Sequence, residues 1–253
     1  MSPPGRYAVV IAALVAMSAS GCTNSADSPA AEITVFAAAS LQKTFTQLGQ
    51  QFEAANPGTA VVFNFGGSSD LVAQLQQGAP GDLFASADAA TMDKAVDDAL
   101  ITGEPTVFAT NSMVIAVPPG NPAGIDSFAA LADPGVNVVV CAPQVPCGAA
   151  TQTIEENTGV TLSPVSEENS VTDVLGKVTS GEADAGIVYV TDVKGAGDAV
   201  EGIEIPTAVN ATNRYPIGVL AGSGSPDLAE QFEDFVLGPQ GQQVLADAGF
   251  GGP

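Results

Sequence analysis

Residues 32–56 read EITVFAAASLQKTFTQLGQQFEAAN, and how they divide decides the fold. An apolar run ends in Ala37-Ala38-Ala39. Ser40 then opens a stretch with Leu41, Phe45, Leu48 and Phe52 at helical spacing. Asn56-Pro57-Gly58 stops that helix. The unit is a buried strand, a turn of tiny residues, then an amphipathic helix. It recurs at once: AVVFNF predicts a strand and SSDLVAQLQQ a short helix, with Gly66-Gly67 between them.

Further along, DLFASA predicts a strand followed by a helix from about Ala89 to Leu100, and SMVIAVP another strand. A short helix near SFAALAD precedes the strand NVVVCAP, and helices are expected in GAATQTIEEN and VTDVLGKVTSG. The strands AGIVYV, GIEIP and YPIGVLA follow, then helices in PDLAEQFEDFVL and PQGQQVLADAG. Alternating strand and helix units argue for parallel-rich sheets covered by helices. They are too many for one small sheet, so the expected α/β architecture has two lobes. Ligands in such folds bind beyond the carboxyl ends of strands, where helix N-termini point into a crevice.

With 253 residues, 45% apolar and 13% charged, the chain can bury sizeable cores. Its formal charge of −22, from 28 acidic against 6 basic residues, excludes a surface for nucleic acid or for anionic membranes. The N-terminal MSPPGRYAVVIAALVAMSASGC has one Arg, a short apolar run and small residues before Cys22. It reads as an export signal over residues 1–21. The small residues before Cys22 resemble a bacterial lipobox, which implies a lipid anchor at Cys22, with residues 22–31 as tether. Cys141 and Cys147, close together in VVVCAPQVPCGAA, predict a disulfide in an exported protein. Zinc is the competing reading, but there is no His and no second cysteine pair to complete a closed site.

Four strand-to-helix mouths are built from small residues: Ser40, Gly67-Ser68-Ser69, Cys147-Gly148 and Ser170-Val171. Serine is a favoured helix cap, so Ser40 and Ser68 are expected to cap the helices they open. Small residues also let backbone approach a ligand closely, and a helix N-terminus offers free N–H donors with about half a positive charge. Several converging mouths would hold an anion without Lys or Arg. Ser40 and Lys43 also spell S-x-x-K, the nucleophile motif of penicillin-recognising enzymes. No S-D-N or K-T-G accompanies it, and a Ser-His-Asp triad is excluded because the chain contains no His.

The segments ITVFAAASL, FNFGGSSDLVAQLQQGAPGDLFASAD, GEADAGIVYVTD, YPIGVL and GPQGQQVLADAGF together resemble the molybdate-binding proteins of ABC importers, from about Ile33 to Phe250. The resemblance implies a periplasmic-binding-protein fold of the type II kind, with a ligand cleft between lobes. Lobe I would comprise residues 32–111 plus 222–253, and lobe II residues 112–221. It further implies no catalysis, no cofactor, a monomer, and an ABC permease as membrane partner. The ligand, molybdate or tungstate, would meet hydroxyls of Ser40, Ser68 and Tyr189. Backbone N–H groups at Ser40, Ser68, Cys147 and Val171 would complete the site. Cys147 stands where the family often has a small apolar residue. Sulfate and other oxyanions are the alternative ligands, since sulfate also carries four acceptor oxygens and no proton near neutral pH.

Overall fold

The computed structural model describes Met1 and residues 31–253. The signal segment, Cys22 and the tether up to residue 30 lie outside the described residues. No helix of those described is long and apolar enough to cross a membrane.

The first lobe starts with β1 (Ala31–Ala38), α1 (Gln42–Ala55), β2 (Thr59–Gly66), α2 (Ser68–Gln76), β3 (Leu83–Ala85) and α3 (Ala89–Asp97). β1 pairs in parallel with both β2 and β3. Its inner residues from Val35 to Ala38 are all buried, as a strand covered on both faces requires. α1 sends Phe45, Leu48 and Phe52 into the core. There Phe45 meets Phe108 at 5.6 Å between centroids and Phe52 meets Phe232 edge-on at 5.2 Å. Each such ring stabilises the lobe by about 1.5–3 kcal/mol through burial.

The second lobe holds β5 (Val138–Cys141), α4 (Pro146–Thr158), β6 (Ser166–Glu168), α5 (Val171–Thr179), β7 (Ala185–Tyr189), α6 (Val190–Ala196) and β8 (Glu201–Glu204), taking the intervening β4 (Thr106–Val117) as its entry strand. β5 runs parallel to β6 and β7. After β8 come β9 (Thr212–Val219), α7 (Pro226–Leu237) and α8 (Pro239–Ala248). The strand order is β2-β1-β3-β9-β4-β7-β5-β6, with β8 attached to β4.

β4 joins the lobes. Its residues Thr106–Ser112 pair with β9, and Met113–Ala116 pair with β7. The sequence reading began this strand only at Ser112, because Thr110, Asn111 and Ser112 interrupt the apolar run. Those polar residues sit where the strand passes from one sheet to the other. β9 pairs with β3 through Ile217–Val219. This attaches residues 212–219 to the first sheet, whereas the sequence reading ran the second lobe to 221. The helix expected near SFAALAD is a 3-10 turn at Ala129–Ala132, and β6 was missed, being three residues with two exposed-type glutamates.

Candidate functional site

Each mouth is made by a strand end and the first turn of the next helix. After β1 the chain makes a 3-10 turn at Ala39–Leu41 that carries Ser40. After β2, Gly67 precedes Ser68, the first residue of α2. In the second lobe, Pro146 and Cys147 open α4 and Val171 opens α5. Tyr189 ends β7 and leads directly into α6.

The serine caps expected at Ser40 and Ser68 are not made. Gly67 occupies the cap of α2 and Leu41 that of α1, neither with a side-chain bond. Ser68 is almost wholly buried, and its Oγ accepts the N–H of Ala87 at 3.0 Å. Ser40 Oγ lies 3.0 Å from the Tyr215 hydroxyl. Among the mouth residues only Ser170 acts as a helix cap, accepting the N–H of Asp173. The two serines are thus tied to groups outside their own helices, Ala87 in the link after β3 and Tyr215 on β9, and the apolar caps leave the helix N–H groups unspent at their mouths.

Ser40, Ser68, Cys147, Val171 and Tyr189 line one small cavity between the lobes. The cavity is tight and partly open to solvent. Its remaining lining is small or apolar, including Ala38, Gly66, Ala87 and Val145, and contains no carboxylate and no cationic side chain. What it presents is a set of hydroxyls and helix-terminal N–H groups, a combination suited to an acceptor-rich anion.

Close contacts across the cleft hold the lobes together around it. A Cβ on Gly67 would lie 2.0 Å from the backbone oxygen of Asn169 in the other lobe, so only glycine fits there. Ser69 Oγ donates to the Gln144 oxygen at 2.5 Å. Gln144 lies in the loop that the Cys141–Cys147 disulfide closes, with Cα atoms 5.6 Å apart. The predicted bridge is formed. A Cβ on Gly148 would lie 1.9 Å from the Ala142 oxygen, which presses the start of α4 onto the same loop.

Sequence reasoning missed the layer behind the cavity. Asn213, buried on β9, donates from Nδ2 to the Ala87 oxygen at 2.9 Å, the Pro146 oxygen at 3.4 Å and the Tyr189 hydroxyl at 2.9 Å. Tyr215, fully buried, packs edge-on against Tyr189 with centroids 5.9 Å apart. Burial is the main cause that pushes both phenols well above their ordinary range, so both hydroxyls keep their protons. A polar pair in the strand-like TNRYPIGV was the available signal, because Asn inside a strand needs a partner.

Lys43 does not serve Ser40. Its Nζ donates to the Gly195 oxygen of the second lobe, so the S-x-x-K arrangement of a nucleophile and its base is not built. Beside it, Asp192 accepts the Tyr189 N–H at 2.9 Å. Burial raises its pKa to about 7, against the opposing pull of that bond and of Lys43. Among the described residues no group of three metal-ligating side chains comes together.

Residues 33–251 match the family model described as bacterial extracellular solute-binding protein. The chain is 51% identical over 249 residues to the protein named molybdate-binding protein ModA of Mycobacterium tuberculosis, covering 97% of this chain and 95% of that one. It is 33% identical over 229 residues to the protein of the same name from Escherichia coli, covering 87% and 88%. Among solved structures it resembles the periplasmic molybdate-binding protein of Azotobacter vinelandii, with a TM-score of 0.77, 25% identity, and coverage of 87% of this chain and 99% of that one. Matched over residues 33–251 by that family model, and over most of its length by these relatives, the chain is a member of the bacterial extracellular solute-binding protein family.

Proposed function

We propose that this protein captures molybdate, and tungstate with it, for delivery to an ABC permease. The carrying observation is the inter-lobe cavity that joins Ser40, Ser68, Cys147, Val171 and Tyr189 and contains neither carboxylate nor cation. Ser40, Ser68 and Tyr189 donate hydroxyl protons, and backbone N–H groups at Ser40, Ser68, Cys147 and Val171 donate beside them. The names of the relatives from M. tuberculosis and E. coli point to the same ligand. Molybdate near neutral pH is a dianion with four acceptor oxygens and no proton. A wall of donors satisfies all four, and withdrawal from water strengthens each bond. Hydrogen phosphate carries a proton that wants a carboxylate, so it binds poorly. With a formal charge of −22 the global field opposes a dianion, and affinity comes from the local donors.

Capture is lobe closure. The anion binds the closed arrangement better than the open one and shifts the equilibrium by that difference. Lobe I comprises residues 32–111 and 212–253, and lobe II residues 112–211, with β4 and the entry to β9 as hinges. Cys22 carries a lipid anchor at the outer face of the cytoplasmic membrane, and the chain works as a monomer. Calorimetric titration with molybdate, tungstate, sulfate and phosphate tests this reading. Tight one-to-one binding of the first two, with sulfate far weaker, supports it. Equal binding of sulfate turns the protein into a general oxyanion receptor, and binding of none removes the proposal.

A further inference from the structure

Three of the five candidate ligand residues are reached, directly or through one neighbour, by a side chain that does not line the cavity. Asn213 holds the oxygen of Ala87, whose own N–H is donated to Ser68 Oγ. It reaches the oxygen of Pro146, the residue before Cys147. It also touches the Tyr189 hydroxyl directly. Ala87, in the link between β3 and α3, and Asn213, on β9, belong to the first lobe, and Pro146 and Tyr189 to the second, so the same carboxamide spans the cleft.

The orientation of that carboxamide is fixed by chemistry. Backbone oxygens of Ala87 and Pro146 can only accept, so the NH₂ end must face them, and the same NH₂ faces Tyr189. An amide nitrogen does not accept, so the Tyr189 oxygen is the acceptor in that bond. The single phenolic proton of Tyr189 therefore points away from Asn213, toward the neighbouring Tyr215 hydroxyl, and an anion in the cavity would compete with that hydroxyl for it. Ser68 obeys the same logic: its oxygen takes the Ala87 N–H, and its proton is left over.

We infer that Asn213 is a positioning residue that fixes the hydrogen-bond polarity of the site, forcing Tyr189 to act as a donor and so selecting oxyanions that carry no proton. This rests on Tyr189 donating to the anion as proposed above. With Asn213 in place, a protonated anion oxygen at Tyr189 meets hydrogen against hydrogen. Without it, the phenol can rotate and offer a lone pair to an anion's O–H. Selectivity is then set one layer behind the groups that touch the ligand.

The test combines Asn213→Leu, Tyr189→Phe and the double variant in the full chain. Affinities for molybdate and for hydrogen arsenate, which keeps a proton near neutral pH, are measured by calorimetry or competition, with thermal unfolding recorded alongside. N213L should weaken molybdate about tenfold or more and lower the molybdate-to-arsenate ratio. In the Y189F background the same change should cost less than about threefold, because the hydroxyl it orients is gone. If N213L does not fold, Asn213→Ala gives the same comparison with a smaller loss. Equal weakening of both anions, or losses that simply add to those of Y189F, make Asn213 a structural residue and overturn the inference. Wild-type molybdate affinity in Y189F removes Tyr189 from the site, and with it the reading on which this one rests.

Discussion

The two lobes build their halves of the cavity by different means. The first lobe offers side chains: Ser68, nearly fully buried and held by Ala87, and Ser40, half-buried and held by Tyr215. The second offers mostly backbone, at Val171, where α5 begins, and at Cys147, on a loop stapled by a disulfide and clamped by Gly148. A hydroxyl donor is aimed by a hydrogen bond to its oxygen. A backbone donor is aimed only by the path of the chain. The half that relies on backbone is also the half that carries the covalent staple.

The comparison breaks hardest where the lobes meet. At φ −60° and ψ 134°, Gly67 has a conformation open to any residue, so Gly67→Ala leaves the first lobe intact. Its new methyl would collide with Asn169 only on closure. Oxyanion affinity should fall by about 100-fold, or some 2.7 kcal/mol, with ligand-free thermal stability nearly unchanged. Parallel loss of both would mean the glycine serves the fold and not closure.

Next come the serines. Ser68→Ala removes a donor and strands the Ala87 N–H, and should weaken binding by about 2–3 kcal/mol. Ser40→Ala, at the more exposed position, should cost about 1–2 kcal/mol. Calorimetry on both variants checks the order, and equal affinity to wild type in both would remove the hydroxyls from the site.

The staple tests the other half. Replacing Cys141 and Cys147 by Ser opens a short loop and should lower stability by about 2 kcal/mol on the chain-entropy estimate. The backbone donor at position 147 survives, so affinity should drop by less than about tenfold. Denaturant unfolding and titration together separate these. A loss of binding larger than that from Ser68→Ala would mean the bridge holds the site itself.

The smallest effect concerns pH. Burial raises the Asp192 pKa from 3.8 to about 7, so the folded state binds the proton more tightly than the unfolded. The stability linked to this group is full below pH 3.8 and declines as pH rises through 7. Glu233, raised to about 7 by burial beside Asp234 and Glu230, contributes in the same direction. Asp192→Asn should therefore flatten part of the fall in melting temperature between pH 5 and 8. An unchanged slope would place the pH dependence elsewhere.

Much of the fold was legible because β1, β5 and β7 carry apolar runs and β1 passes through small residues into an amphipathic helix. Buried parallel strands are required to look this way. By contrast α6, which follows β7 directly, was not foreseen. Nor was β6, since three residues with two glutamates carry no apolar pattern. The start of β4 was hidden because a crossing strand turns polar where it leaves one core for the next. In the site, the mouths were visible as small residues, but the role of the serine oxygens was not. Capping is a local rule, whereas Ala87 and Tyr215 reach them from distant parts of the chain. Asn213 and Tyr215 were missed for the same reason: their partners are set by the closure of two lobes.

The central claim, that these donors surround an oxyanion, is tested most directly by crystals of the mature domain grown with molybdate and measured at the molybdenum absorption edge. One anomalous peak is expected inside the cavity, within hydrogen-bond reach of molybdate oxygens from Ser40 Oγ, Ser68 Oγ and Tyr189 Oη. A peak elsewhere, or none in the cavity at saturating molybdate, would contradict the account.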